Sequence, residues 1–218
     1  MAEHRQEFER DLEAIEARII ELFAIVAEDL PEATKALLTG NNEVMQRLTE
    51  RDKVISALYP ETEQLANREI LLQAPVAGDL RFLLAVLRVL TEFELSHDLV
   101  MQIASRANHF LSDDLSPRAR GIVERMGGLA SDMWRQAADC WYQRDRSAAL
   151  ALAERDDEMD QLYSSLIGEL ASGRMTIPVT MEMTLVARFY EHLGYHAVNI
   201  ARRVFYLAGS APQAGPSE

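Results

Sequence analysis

Apolar residues return at steps of three and four along most of this chain, and that spacing confines it to helices. Phe8, Leu12, Ile15, Ile19, Phe23 and Val26 fall on one face of a helix. Leu80, Leu83, Leu84, Leu87 and Leu90 repeat the pattern further on. Chain breakers are few: 7 prolines and 10 glycines in 218 residues leave room only for short connections. Ala, Leu, Glu and Arg dominate, and unbranched side chains lose little rotamer freedom in a helix.

The breakers divide the chain into six helices. The first runs from Phe8 to Gly40-Asn41-Asn42, with Pro31 expected to kink or restart it. The second covers about Glu43 to Leu72, with a kink at Pro60, and the third carries Asp79 in its first turn and reaches about Leu111. Asp113-Asp114-Leu115-Ser116-Pro117 separates the halves, because Ser116 suits an N-cap and Pro117 the first helical position. The fourth helix extends to about Tyr142, with Gly127-Gly128 a weak spot. The fifth, capped by Asp145 or Ser147, ends near Gly173, and the sixth runs from Ile177-Pro178 to just before Gly209.

The halves echo each other. The third and sixth helices align without gaps at an offset of 97, which puts Glu94 on Glu191. The second and fifth align at 104, Arg51-Asp52 matching Arg155-Asp156. The expected fold is therefore all-α: two tandem antiparallel three-helix bundles related by internal duplication, over 1–112 and 113–209. The remainder, 210–218, is small and polar and reads as a disordered tail.

The 35 acidic residues outnumber the 22 basic ones, for a net charge of −13, and such a surface repels phosphate backbones and anionic lipid. No nucleic-acid partner is expected. The N-terminus lacks a signal-peptide core, and the apolar run Phe82–Leu90 is broken by Arg88, so the expected protein is cytoplasmic without a membrane span. Cys140 is the single cysteine and sits beside Trp141 on an apolar helix face, which predicts a buried, inert thiol. The sequence has no phosphate-binding Gly-rich loop, no Gly-x-Ser-x-Gly and no dinucleotide fingerprint; no catalytic residue is expected, and the chain reads as a non-enzyme.

Acidic residues carry the remaining chemistry. Glu94 with Asp98, Asp156 with Asp160, and Asp52 with Ser56 stand one helical turn apart, and Glu191 repeats Glu94. Around Glu94 and Glu191 the neighbours are apolar, so burial there would demand a proton or a cation. Hard oxygen donors on facing helices suit Mg, Mn or iron; the alternative is a solvent-facing acidic strip. Glu94-Leu95-Ser96-His97 also has the Glu-x-x-His spacing of di-iron bundles, but Glu191-His192-Leu193-Gly194 supplies no second copy. His192 and His196, one turn apart, read as zinc ligands or as interfacial polar groups.

Taken in order, these segments resemble the PhoU family over roughly Phe8 to Gly209. Gln73-Ala74-Pro75-Val76-Ala77-Gly78-Asp79-Leu80-Arg81 is similar to the family's Gln-Pro-x-Ala-x-Asp-Leu-Arg entry to its third helix. Glu94-Leu95-Ser96-His97-Asp98 and Glu191-His192-Leu193-Gly194-Tyr195 stand where the family has Glu-Arg-Ile-Gly-Asp. The resemblance implies a regulator of phosphate uptake that negatively modulates the phosphate ABC transporter, through its ATPase, and the phosphate-sensing histidine kinase of starvation signalling. It also implies a homodimer, and iron or another divalent metal (Mg, Mn, Zn) on Asp52, Glu94 and Asp98 of the first repeat and Asp156, Asp160 and Glu191 of the second. Ser56 and Tyr195 replace motif acids, and Leu95 and His192 replace the motif arginine. A phenol with a pKa of about 10 is a poor ligand for a hard cation, which favours the first repeat. Two other readings stand beside this one: a metal-homeostasis bundle, and a divergent paralogue serving another transporter.

Overall fold

The computed structural model describes residues 2–109 and 114–207, so the expected tail and part of the boundary between the halves lie outside the described residues. Six α-helices account for almost all of it: α1 (Ala2–Thr39), α2 (Asn42–Gln73), α3 (Ala77–Ser105), α4 (Pro117–Gln143), α5 (Arg146–Leu170) and α6 (Ile177–Leu207). Among the described residues there is no strand.

Local chemistry sets most ends as the sequence predicts. Ser116 Oγ accepts the Ala119 N–H at 3.1 Å and donates to Glu169 at 2.8 Å, fixing the start of α4 against the end of α5. Asp145, not Ser147, caps α5: its Oδ1 takes the Ser147 and Ala148 N–H groups at 2.8 and 3.2 Å.

Two expectations fail for tertiary reasons. Helix α1 runs unbroken through Pro31. Proline leaves the Ala27 carbonyl without its helical donor, and Ser131 Oγ of α4 supplies one at 3.2 Å. The third helix does not continue to Leu111; it tightens after Ser105 into a 3₁₀ turn, Arg106–His109, as the Arg106 N–H bonds the Ile103 carbonyl. There the Arg106 side chain reaches Glu182 of α6 at 2.9 Å and lies over Phe189. Helix α4 passes through Gly127-Gly128 without a break.

Helices α1, α3, α4 and α6 share a central core, with α2 packed on α1 and α3 and α5 on α4 and α6. At its centre Phe23, Phe93 and Trp134 stack on one another, with Phe23 and Phe93 edge-on at 4.7 Å. Cys140 is fully buried there, and burial pushes its thiol up to about 11, which makes it the inert thiol expected.

Candidate functional site

The six acids gather in two places, one on each repeat. In the first, Asp52 of α2 and Glu94 and Asp98 of α3 line a cleft of 320 Å³ with Ser56, Tyr59 and His97. Spacing alone predicts this for α2 and α3, because each pair sits one turn apart and the helices are antiparallel neighbours. Burial does not follow the prediction: Glu94 and Asp98 are exposed and Asp52 is half-buried. The apolar neighbours of Glu94, such as Phe93 and Val100, turn to the opposite side of α3, into the core. On this repeat the acids form the solvent-facing strip.

The sequence reading weighed His97 only as part of a di-iron spacing, and did not foresee its pairing with Asp52. Its side chain is only 3% exposed, and Nε2 lies 2.9 Å from Asp52 Oδ1 while Nδ1 has no partner. Behind it Asp29 of α1, fully buried, pairs with Arg51, the neighbour of Asp52. Burial holds the Asp29 carboxyl above its ordinary pKa, opposed by the Arg51 hydrogen bond and charge and by His97. The signal was present: a histidine stands where the repeat, at Gly194, has the motif glycine, and Asp29 interrupts the apolar face of α1.

In the second repeat that glycine explains itself. A Cβ on Gly194 would stand 3.3 Å from Asp156 Oδ1, so Asp156 rests directly on the α6 backbone where its equivalent, Asp52, meets an imidazole. The pKa of Asp156 is raised, first by burial and then by the charges of Asp160 and Glu191, against Arg202. Glu191 is half-buried and already engaged by Arg188 at 2.8 Å, while Asp160 is exposed. Tyr195, in the place of a motif acid, is also exposed and sets its ring beside His196.

The two histidines of α6 take different roles. His196 is buried and its Nδ1 lies 2.6 Å from Glu92, tying α6 to α3 across the repeats. His192 is half-exposed, with a pKa lowered by burial and by Arg188. Among the described residues, no three His, Cys, Asp or Glu side chains converge as a set that could hold a metal ion. The first cleft holds three carboxylates beside the buried His97, donor types that a divalent cation takes. In the second, Arg188 already neutralises Glu191.

Comparison with known proteins follows the same two-part frame. The family described as the PhoU domain matches twice, over residues 19–107 and 123–204. A phosphate-specific transport system accessory protein PhoU homolog of Zymomonas mobilis is 33% identical over 205 residues, covering 92% of this chain and 86% of that protein. The crystal structure of PhoU from Pseudomonas aeruginosa superposes with a TM-score of 0.85 at 25% identity, over 92% of this chain and 98% of that one. The phosphate transport system regulatory protein PhoU from Streptococcus pneumoniae, 23% identical, has the same fold with a TM-score of 0.84, over 94% and 98%.

Proposed function

This chain belongs to the PhoU family, and on that premise we propose that it is a non-enzymatic regulator of phosphate uptake. It acts at the cytoplasmic face of the membrane, as a homodimer, on the ATPase of a phosphate ABC transporter and on a phosphate-sensing histidine kinase, holding starvation signalling off when phosphate is plentiful. The observation that carries the reading is the double domain match, which falls on both halves of the chain, among relatives described as phosphate-specific transport accessory proteins. Long helical faces suit protein recognition, and no described helix is long and apolar enough to cross a membrane, so contact with a transporter would run through a partner. Deleting the gene in its host should switch on phosphate-starvation reporters in high phosphate. Unchanged reporters together with unchanged phosphate uptake would overturn the proposal and favour a paralogue that serves another transporter.

A second reading, cation binding, is favoured by the gathering of Asp52, Glu94 and Asp98 in one cleft. A divalent ion there would supply the positive charge that these three acids lack, while Glu191 already has Arg188. Elemental analysis of purified protein should therefore show Glu94→Ala losing more metal than Glu191→Ala. Equal metal content in the two variants would refute the asymmetry.

A further inference from the structure

Two buried atoms beside the first cleft lack what each could supply to the other. Among the described residues, His97 Nδ1 on α3 and Asp29 Oδ2 on α1 are both enclosed and without a hydrogen-bond partner. The two groups are near enough for a charge on His97 to be felt by the Asp29 carboxyl. Contacts also link them on the other side. Asp29 Oδ1 holds Arg51, and Asp52, next in sequence, has its Oδ1 2.9 Å from His97 Nε2. Two buried polar atoms left unpaired are costly, so the arrangement needs a physical reason.

The tautomer of His97 supplies it. A carboxylate only accepts hydrogen bonds, so the contact with Asp52 places the imidazole proton on Nε2. Neutral His97 then carries a lone pair at Nδ1, and Asp29 Oδ2 is an acceptor as well. Two acceptors cannot satisfy each other. With one proton lost at Nε2 and one gained at Nδ1, the ring stays neutral and both orphans are repaired, because Nδ1–H can donate to Asp29. The same change leaves Nε2 and Asp52 as two electron-pair donors side by side. A cation shared between them removes that repulsion.

A histidine that binds a metal through one nitrogen and donates the other N–H to a carboxylate is held in the required tautomer and orientation. His97 lines the cleft with Asp52, Glu94 and Asp98. While the proton sits on Nε2 that nitrogen cannot ligate, and among the described residues no three donors converge. Glu94 and Asp98 are exposed, so their side chains can turn toward it. Donor type then decides between ions. Magnesium takes oxygen, whereas imidazole nitrogen suits zinc and its borderline neighbours. In the second repeat Gly194 stands at this position and supplies no nitrogen, with Asp156 resting against its backbone.

We propose that His97, backed by Asp29, is a nitrogen ligand of the first cleft and selects a zinc-class divalent ion over magnesium. Cation binding by the cleft is the premise; the fourth donor and the preference are what His97 adds.

Titration calorimetry on the full chain, stripped of metal with a chelator, uses zinc, manganese and magnesium chlorides in turn. Zinc is expected to bind tightest and magnesium weakest. His97→Ala should raise the zinc Kd by roughly a hundredfold, the upper end of what even an outer partner is worth, and leave that of magnesium within about twofold. Asp29→Asn should raise the zinc Kd about tenfold in the native background and leave it unmoved in the His97→Ala background, because it acts through His97. His192→Ala should change nothing. Proton–nitrogen correlation spectra of the histidine rings give a second readout on the unaltered chain, should Asp29→Asn fail to fold. One imidazole, missing from the His97→Ala spectrum, should pass from Nε2–H to Nδ1–H as zinc is added. Zinc no tighter than magnesium, equal losses for both ions in His97→Ala, or zinc lost with His192→Ala instead would overturn the role of His97 and leave the cation reading standing. No saturable binding of any of the three ions would overturn both.

Discussion

Trp134→Ala is expected to lower the free energy of unfolding by about 4 kcal/mol, near the upper end of what a truncated core side chain costs. Trp134 is fully buried on α4, with its ring 6.1 Å from Phe23 of α1 and 5.6 Å from Phe93 of α3. Its indole N–H donates to the Leu193 carbonyl of α6 at 3.1 Å. One side chain therefore joins four helices, two from each repeat. The cavity left by alanine would open between the repeats, and neither bundle could collapse into it without breaking its own packing. Urea denaturation followed by circular dichroism should show a single transition, moved to a lower midpoint with an unchanged slope. Two transitions, or a loss under about 1 kcal/mol, would mean that the halves carry separate cores.

That shared core limits what the sequence could reveal. The starts of α4 and α5 were legible because Ser116 with Pro117, and Asp145, act on groups two or three residues away. The unbroken course of α1 was not, since the donor that relieves Pro31 belongs to Ser131, a hundred residues downstream. Helix α3 stops short for a similar reason, with Arg106 drawn to Glu182 and Phe189 on α6. Duplication carried the site reading further than periodicity did. It paired Asp52 with Asp156 and Glu94 with Glu191 before any contact was known. It did not predict which side of α3 faces water, because Glu94 has apolar neighbours on either side in sequence whatever its orientation.

The repeats have kept one frame and diverged in its chemistry. Asp52 meets the His97 imidazole, whereas Asp156 meets the bare backbone of Gly194. Glu94 is exposed, while Glu191 is held by Arg188.

The second large effect falls on a close helix crossing. Gly127→Val should cost about 3 kcal/mol, because overpacking a contact between rigid elements cannot be relieved locally. A Cβ at Gly127 of α4 would stand 2.3 Å from Thr34 Oγ1 and 2.9 Å from Thr34 Cβ on α1. Thr34 has nowhere to go. It is buried and β-branched, and its hydroxyl donates to the Leu30 carbonyl at 2.8 Å. That leaves it an acceptor for the Tyr190 hydroxyl, 2.7 Å away and wholly enclosed on α6. Making room would part α1 from α4 and strand the Tyr190 hydroxyl without water or partner. Gly128 is the internal control, exposed and with nothing within 4 Å of an added Cβ. Gly128→Ala should therefore stabilise by about 0.5 kcal/mol through helix propensity alone. If the clash with Thr34 is the cause, Gly127→Ala combined with Thr34→Gly and Tyr190→Phe should be more stable than Thr34→Gly with Tyr190→Phe. Against the native Thr34, Gly127→Ala should destabilise. The same sign on both backgrounds would refute the crossing as the reason for the glycine.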